Sequence, residues 1–336
     1  MSSTRLAPLG LDGTTIPAVG FGIMGMSVGY GPVKSDEERF KVLDRAWEIS
    51  CTNWDTADCY GDNEDFIGKW FKLHPERRKD IFLASKFAIK GLGPVDIDSS
   101  PEYCKQALQK SLDRLGVDHL DLFYMHRANT AVPIEKTVQA MKELKEAGKI
   151  KHLGLSEISS STLRRAHAVH PISCVQVEYN PWTLDIEGPS GTHLLDTCKE
   201  LGVSVVAYSP LGRGILTGRY RSKEDFEEGD VRVNMERYQG ENFRKNLALV
   251  DKFKELADRK GCTSSQLVLA WLLAQWEKII VIPGTKNVKY LEENFKAGEV
   301  QISVEEEKEL RQLVKDAEVG GGRDPFFGNY DDTAEL

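Results

Sequence analysis

The chain has 336 residues, 40% of them hydrophobic and 29% charged, and a formal net charge of −8. It can bury a large core, either as one large α/β domain or as two ordinary ones. Residues 1–9 lack the apolar stretch of a signal peptide, and no run of about 18 apolar residues suits a membrane span. We therefore expect a cytoplasmic protein without a membrane partner. The acidic balance also argues against a nucleic-acid partner, and an anionic cofactor would need a local basic pocket.

The cysteines are scattered and form no Cys-x-x-Cys pair, and most have apolar neighbours. They are Cys51, Cys59, Cys104, Cys174, Cys198 and Cys262. This pattern predicts buried free thiols rather than a disulfide framework or a zinc site.

The N-terminal region predicts strands before any helix. Residues 5–17 read as a β-hairpin, because Asp12-Gly13 is a strong two-residue turn signal between short apolar runs. Residues 20–25 match the G-x-G-x-x-G dinucleotide fingerprint as a string of letters. That motif must open a helix, whereas residues 26–32 are too rich in Gly and Pro for one. We therefore do not assign cofactor binding to this string.

From there the chain alternates between helices and strands. Ser35 and Glu38 form a capping box that predicts the start of the first helix. Later helical patterns end at Gly116, Gly148 and Gly202, and a strand pattern follows each of them. Such units need right-handed crossovers between parallel strands. The predicted barrel strands lie near residues 18–22, 52–55, 81–85, 120–125, 151–155, 173–178, 203–208 and 279–283.

Eight such units predict a (β/α)8 TIM barrel over residues 1–336 as a single domain, with the hairpin closing its N-terminal end. The structural alternative is a doubly wound open sheet. Two segments break the alternation: a polar insertion at residues 211–242 and an aperiodic tail at residues 319–336. Loops of this length are usually functional or mobile, and either one is long enough to cover the barrel mouth.

Four polar residues stand at or just after successive predicted strands. Asp55 ends one strand, Tyr60 lies in the loop after it, and Lys86 and His126 end the next two strands. Each has an ordinary explanation alone: a turn carboxylate, a loop aromatic, a paired lysine and a histidine bonded to backbone. Since parallel strands in a barrel carry their sites at the carboxyl ends, we expect one shared site.

These residues and several later motifs resemble the aldo-keto reductases, whose catalytic tetrad is Asp, Tyr, Lys and His. The further matches are Gly-Leu-Ser-Glu at 154–157, Gln-Val-Glu-Tyr at 176–179, Ala-Tyr-Ser-Pro-Leu-Gly-Arg-Gly at 207–214 and Ile-Pro-Gly-Thr-Lys at 282–286. The likeness is greatest to the fungal and plant branch with pyridoxal-reductase-like and auxin-induced-like members. It implies the barrel fold and reduction of an aldehyde or ketone by hydride from NADPH, without a metal.

The resemblance assigns a role to each member of the tetrad. Tyr60 would donate the proton, and Lys86 would lower the pKa of this tyrosine, which is ordinarily near 10. Asp55 would hold Lys86 in place and keep it charged. His126 would orient the carbonyl oxygen, and the sequence leaves its tautomer open.

The resemblance also implies contacts along the whole cofactor. Tyr208 would stack on the nicotinamide, and Gly22 and Met24 would lie under its ribose. At one of the carboxamide positions this chain has Glu157, where most relatives have Asn. The carboxamide positions are Ser156, Glu157 and Gln176; the pyrophosphate positions are Ser209, Leu211, Arg213 and Gly214; the adenosine positions are Thr285, Lys286, Tyr290, Glu293 and Asn294.

Cofactor choice depends on the adenosine end. Lys286 is the cation expected to bind the 2′-phosphate of NADPH, and its alternative is a solvated surface lysine. Tyr290 occupies a position where related sequences often carry an arginine, so the preference for NADPH over NADH is expected to be moderate.

The substrate and the oligomeric state stay open. Several aromatic residues either line the substrate pocket or pack in the interior: Tyr30, Phe87, Trp182 and the pair Phe326-Phe327. Two other classes of protein are alternatives. One is a cofactor-binding regulatory subunit resembling potassium-channel β subunits. The other is a metal-dependent or phosphate-binding barrel lyase, which the lack of a His/Asp/Glu cluster at ligand spacing argues against.

Overall fold

A computed structural model describes residues 4–91, 96–323 and 330–336. A two-stranded antiparallel hairpin precedes a sheet of eight parallel strands. The strands are β1 (Leu6–Pro8), β2 (Thr15–Pro17), β3 (Phe21–Gly22), β4 (Asn53–Asp55), β5 (Phe82–Phe87), β6 (Leu120–Met125), β7 (Ile150–Ser156), β8 (Cys174–Glu178), β9 (Ser204–Tyr208) and β10 (Ile279–Val281).

The eight strands pair in chain order from β3 to β10, and the two ends of this sheet meet. Val281 N donates to Ala18 O at 2.9 Å, and Gly20 N donates to Val281 O at 2.8 Å. A parallel bridge joins Val19 to Val281 between them. The sheet is therefore a closed barrel, which confirms the predicted (β/α)8 fold over the open-sheet alternative.

The hairpin covers the amino ends of the barrel strands, as predicted. Ser204 Oγ donates to Pro8 O at 2.9 Å and accepts from Gly10 N at 2.9 Å. Lys278 Nζ donates to the carbonyl oxygens of Gly10 at 2.9 Å and Gly202 at 3.0 Å. These bonds tie the turn of the hairpin to the entrances of β9 and β10, so that end of the barrel is closed.

The helices surround the barrel, and those with a predicted end at Gly116, Gly148 or Gly202 stop within two residues of it. The Ser35 and Glu38 capping box precedes the first helix, and Gly116 ends the third in the left-handed conformation at φ 64°. The helices are α1 (Asp36–Glu48), α2 (Asn63–Leu73), α3 (Pro101–Leu115), α4 (Ile134–Glu146), α5 (Ser160–Val169), α6 (Leu194–Leu201), α7 (Gly240–Lys260), α8 (Ser264–Ala274), α9 (Val288–Phe295) and α10 (Val304–Asp316).

In the segment with the fingerprint string, β3 is followed by a short 3-10 turn, Met24–Met26, and not by a dinucleotide-binding helix. The insertion at residues 211–242 is built mainly of short 3-10 turns, and its last three residues belong to α7. It reaches the loop after β3, where Val231 N donates to Gly29 O at 3.0 Å. The insertion thus spans the carboxyl end of the barrel.

The C-terminal tail also runs across this end of the barrel. Gly320 N donates to Asn246 Oδ1 at 2.8 Å, and Asp331 N donates to Glu157 O at 3.1 Å. Phe326 and Phe327, the expected aromatic lining, lie outside the described residues. The tail therefore connects α7 with the loop after β7.

All six cysteines are free thiols and five of them are buried, as predicted; Cys262 is half-buried. Among the described residues, no helix combines the length and the apolar character that crossing a bilayer requires.

The barrel interior contains a contact that only glycine permits. Gly154 on β7 is paired with Tyr124 on β6, and a Cβ at Gly154 would lie 2.4 Å from the tyrosine ring. Tyr124 is fully buried, so its ring has no free space into which to move.

We predict that Gly154→Ala lowers the free energy of unfolding by about 1–3 kcal/mol, the usual cost of overpacking a core. Gly188→Ala is the matched control, because a Cβ there meets nothing within 4 Å and its φ of −133° suits any residue. Urea unfolding of both variants measures the difference. Equal stability of the two would contradict the close contact.

Candidate active site

The structure brings the four predicted residues together at the carboxyl end of the barrel. Asp55 ends β4, Lys86 lies on β5, His126 directly follows β6, and Tyr60 lies in the loop after β4. Lys86 is fully buried, and its Nζ donates to the Asp55 carboxylate and to Thr56 O at 2.7 Å. Both charges of the pair are thus inside the protein and bonded to each other.

The acid of this pair is also held from across the barrel. Gln176 Nε2, on β8, donates to Asp55 Oδ2 at 2.7 Å. One carboxylate therefore joins β5 and β8 through side chains, which fixes the ammonium of Lys86 at a defined place.

Tyr60 and His126 lie directly above the ion pair. The Tyr60 hydroxyl is 3.5 Å from His126 Nε2, and Lys86 Nζ lies 5.0 Å from the centre of the tyrosine ring. Both side chains line a large cavity. A carbonyl group entering this cavity can therefore meet the hydroxyl and the imidazole together.

The pKa of Tyr60 does not follow the expectation. Burial raises it well above its ordinary value of 10, with smaller contributions from Cys59 and Asp55. Burial thus outweighs the lowering that was expected from Lys86, whose ammonium is bonded to Asp55 and to a carbonyl oxygen. Tyr60 is consequently a neutral phenol that holds its proton at neutral pH.

The pKa of His126 moves in the opposite direction. Burial lowers it well below 6.5, and the cations of Arg127 and Lys86 lower it further. The imidazole is therefore uncharged near pH 7, with one nitrogen as donor and the other as acceptor.

The cavity measures about 1770 Å³ and runs from the tetrad to α9. This volume exceeds that of an ordinary small-ligand pocket and suits a long ligand together with a second molecule. The predicted residues that line it are Gly22, Met24, Asp55, Tyr60, His126, Gln176, Tyr208, Ser209, Leu211, Arg213, Gly214, Thr285, Lys286, Tyr290, Glu293 and Asn294.

Lys86, Ser156 and Glu157 are fully buried, and none of them belongs to the cavity lining. Ser156 Oγ accepts from Arg127 Nη1 at 3.1 Å. Glu157 Oε1 accepts from Glu178 N at 2.9 Å, and Glu157 Oε2 has no hydrogen-bond partner among the described residues. These side chains support the floor of the cavity.

Arg323, in the tail, was missed by the sequence reasoning. Its guanidinium donates to Glu157 Oε1 at 2.7 Å and to Glu178 Oε2 at 3.3 Å, and it lies 3.4 Å from the Tyr208 hydroxyl. The signal in the sequence was indirect: acids at the ends of two buried strands, Glu157 and Glu178, require a cation. Nothing in the aperiodic tail indicated which residue supplies it.

The segment after β9 has an unusual run of left-handed backbone conformations. Ser209, Gly212, Arg213 and Gly214 all have positive φ values, of 47°, 54°, 54° and 92°. Turn conformations of this kind can direct backbone N–H groups toward an anion. Two of these groups are used within the turn itself, since Gly212 N donates to Ser209 O and Gly214 N donates to Leu211 O, both at 2.9 Å. Ser209, Arg213 and Gly214 are three of the four predicted pyrophosphate positions, and Leu211, the fourth, has a φ of −100°.

The adenosine end of the cavity differs from the expectation in one respect. Lys286 Nζ already donates to the carbonyl oxygens of Tyr30 and, at 3.4 Å, Pro32, and lies 3.6 Å from Glu227 Oε2. It therefore helps to hold the loop after β3 against the barrel, besides facing the cavity.

Arg219 is a second cation at this end and was also missed. Its guanidinium stacks 4.9 Å from the centre of the Tyr290 ring and lines the same cavity. It is exposed, and none of the described carboxylates pairs with it. An arginine from the insertion thus lies against Tyr290 of α9, at the end of the cavity where Lys286 was expected to be the cation.

Two of the expected aromatic lining residues are packing instead. Phe87 stacks on Phe123 at 4.9 Å between ring centres, and Trp182 lies beside Tyr238 at 6.4 Å. Both are buried outside the cavity lining, whereas Tyr30 does line it.

The protein is thus a parallel eight-stranded barrel. Tyr60, His126 and the pair of Lys86 and Asp55 form a cluster at one end of its long cavity. Residues 18–315 match the model of the aldo/keto reductase family. The chain belongs to this family.

Relatives and a solved structure agree with the family match. The chain is 49% identical to the aldo-keto reductase str7 of Strobilurus tenacellus, over 93% of both chains. It is 50% identical to the aldo-keto reductase yakc of Schizosaccharomyces pombe, whose name includes NADP(+), over 93% of this chain and 92% of that one. A glycerol dehydrogenase of Gluconobacter oxydans shares the fold with a TM-score of 0.82, at 24% identity over 96% of this chain and 99% of that one.

One carboxyl group near Tyr60 titrates in an unusual range. Asp58 Oδ1 is buried without a hydrogen-bond partner among the described residues. Burial, followed by the nearby carboxylate of Glu64, raises the pKa of Asp58 to about 7. Between pH 4 and pH 7 the folded protein therefore keeps a proton that the unfolded chain releases, and stability falls as the pH rises through this range.

We predict that Asp58→Asn is more stable than the wild type at pH 8 and that this advantage shrinks at pH 5. The change removes a carboxylate that is costly to ionise, which is worth up to about 4 kcal/mol for a shift of about three pKa units. Urea unfolding of both proteins at the two pH values is the measurement. A difference that stays constant with pH would contradict the raised pKa.

Proposed function

We propose that this protein reduces aldehydes or ketones to alcohols with NADPH. The observation that carries the proposal is the placement of a neutral Tyr60 hydroxyl 3.5 Å from the neutral His126 imidazole, above the buried Lys86 and Asp55 pair. Membership in the aldo/keto reductase family and a half-identical relative named for NADP(+) support it.

The cavity fits the cofactor along its length. Tyr208 offers a ring for the nicotinamide, and the left-handed turns after β9 suit the pyrophosphate. Arg219 and Lys286 provide positive charge at the far end. When bound, NADPH supplies the hydride that attacks the carbonyl carbon. A small carbonyl substrate then has room beside Tyr60 and His126.

The protein's own residues would handle the oxygen of the substrate. As the carbonyl oxygen gains negative charge, the Tyr60 hydroxyl donates its proton to it, and the alcohol forms. The ring N–H of His126 donates one hydrogen bond to this oxygen and so sets its direction. Placing such donors in a site away from water stabilises the developing charge.

The buried ion pair would act at the moment of proton transfer. The raised pKa keeps the phenol protonated beforehand, which suits a proton donor. Once the proton has left, the ammonium of Lys86, 5.0 Å from the ring centre, stabilises the phenolate. Asp55 keeps Lys86 charged and fixed, and water then restores the proton to Tyr60.

The alternative of a channel regulatory subunit finds no support in the family match or in the named relatives. An oxidoreductase with turnover is the function that the site supports best.

We predict that Tyr60→Phe lowers kcat by about 10²-fold or more, the usual contribution of a general acid, and leaves the Kd for NADPH unchanged. Steady-state NADPH oxidation with a panel of aldehydes and a fluorescence titration with NADPH provide the two measurements. Near-wild-type turnover would show that Tyr60 is not the proton donor.

Tyr103→Phe is the matched control. This tyrosine also lies 5.0 Å from a lysine ammonium, that of Lys90, but it does not line the cavity. Removing its hydroxyl should leave kcat unchanged.

We predict that Arg219→Ala weakens NADPH binding by about 1–3 kcal/mol, the range for a charged hydrogen bond, and leaves NADH binding unchanged. NADPH differs by a 2′-phosphate, which a chain of net charge −8 repels unless a cation is near. Lys286→Ala should weaken NADPH as well, and NADH to a smaller degree, because Lys286 also holds the carbonyl oxygens of Tyr30 and Pro32.

The dissociation constants of both cofactors, measured at two salt concentrations, test this assignment. Arg221→Ala is the control, since its guanidinium is paired with Asp251 at 2.7 Å and does not line the cavity. Equal losses of NADH and NADPH affinity in Arg219→Ala would contradict the assignment, as would a wild-type preference for NADH.

A further inference from the structure

Arg114, near the end of α3 and outside the cavity lining, contacts the loop that carries Tyr60. Its Nη1 donates to Asp58 O at 2.9 Å, and its Nη2 donates to Gly61 O at 2.5 Å. These two carbonyl groups lie on either side of Tyr60 in the chain. One guanidinium therefore holds the backbone before and after the tyrosine.

The remaining donors of Arg114 bind carboxylates at the start of α2. Nη1 donates to Glu64 Oε2 at 3.0 Å, and both Nε and Nη2 donate to Asp65 Oδ2, at 3.0 and 2.8 Å. Because a guanidinium has five N–H groups, these bonds and the two to carbonyl oxygens use all of them. The position of the guanidinium is thus fully determined.

Glu64 extends this network to the strand of Lys86. It is fully buried, and its second oxygen accepts from Ser85 Oγ at 2.6 Å. Ser85 directly precedes Lys86 on β5. Arg114 and Glu64 together therefore connect the tyrosine loop to the strand that carries the ammonium.

The loop has separate attachments on its inner side. Asp58 N donates to Lys86 O at 3.1 Å, Tyr60 N donates to Ala57 O at 3.2 Å, and Asn63 N donates to Tyr60 O at 3.1 Å. Gly61 has a positive φ of 60°, so the chain turns sharply just after the tyrosine. Bonds from β5 on one side and Arg114 on the other leave the loop little freedom.

We propose that Arg114 is a positioning residue that holds the Tyr60 hydroxyl at its place beside His126. The proposal rests on the function proposed above, in which Tyr60 donates the proton. Proton transfer requires the donor within hydrogen-bond reach, and misplacement by about 1 Å can cost as much as 10²-fold in rate. Only an arginine fork can hold two carbonyl oxygens and two carboxylates at once.

The competing explanation is that Arg114 only stabilises the fold. Arg78 offers a matched comparison, because its side chain has the same exposure of 15% and also bonds two carbonyl groups and a carboxylate. It donates to Ile81 O at 2.8 Å and His119 O at 3.0 Å and pairs with Asp121. These contacts lie at the starts of β5 and β6, at the opposite end of the barrel from Tyr60.

The test compares Arg114→Gln with Arg78→Gln in the full-length enzyme, with Tm, the Kd for NADPH and kcat per folded enzyme measured for each. Both variants should have a lower Tm than the wild type and an unchanged Kd for NADPH. Arg114→Gln should lower kcat about tenfold or more, by misplacing the donor, whereas Arg78→Gln should not change it. Unchanged kcat in Arg114→Gln would overturn the proposal and leave a structural role.

A double-mutant cycle separates an effect through Tyr60 from a general one. In the Tyr60→Phe background, where no hydroxyl remains to be positioned, Arg114→Gln should cause no further loss of kcat in single-turnover measurements. A loss by the same factor in both backgrounds would overturn the proposal. Tyr60→Phe alone, if fully active, would instead refute the proposed function, so the two failures are distinguishable.

Arg114→Lys covers the case in which the glutamine variant does not fold. A lysine keeps the charge opposite Glu64 and Asp65, but its single ammonium cannot also reach the carbonyl oxygens of Asp58 and Gly61. Its kcat should fall in the wild-type background and not in the Tyr60→Phe background. Wild-type kcat in Arg114→Lys would show that the two carbonyl bonds do not position Tyr60.

Discussion

The buried ion pair of Lys86 and Asp55 is the interaction on which the rest of the site depends. Two charges removed from water are tolerated only when they face each other and their remaining hydrogen-bonding groups are satisfied. Thr56 O satisfies the ammonium and Gln176 satisfies the carboxylate. The pair itself joins the neighbouring strands β4 and β5, whereas the bond from Gln176 crosses the barrel interior from β8 and depends on the closed barrel.

Several other buried charged groups at the carboxyl end of the barrel are also paired with a group of opposite charge. Arg232 is paired with Asp230 at the insertion, and Arg323 is paired with Glu157 and Glu178 at the tail. Paired cations of this kind hold loops in place and bring little net charge to a ligand. Arg219 differs from these paired arginines, because no described carboxylate pairs with it and because it lines the cavity. An acidic protein can in this way present positive charge locally.

The raised pKa of Tyr60 and the lowered pKa of His126 have one cause, burial, and both leave the neutral form. Tyr60 and His126 are both neutral and lie beside the buried ammonium of Lys86. This arrangement suits a tyrosine that keeps its proton until the substrate oxygen takes it. The loop of Tyr60 is held by a backbone bond to β5 and by bonds from Arg114 to two of its carbonyl groups. Residues outside the cavity lining thus also hold parts of the site in place.

The sequence by itself determined the strand and helix order, the hairpin, the capped helix starts and the tetrad. Those features depend on short-range periodicity and on the rule that parallel strands present their carboxyl ends at one face. Only the tertiary structure decided that Arg219 stacks on Tyr290, that Arg323 pairs with Glu157, and that burial outweighs Lys86 at Tyr60. The two arginines come from segments without periodicity, and both the pairing of charges and the loss of water depend on distances between parts of the chain far apart in sequence.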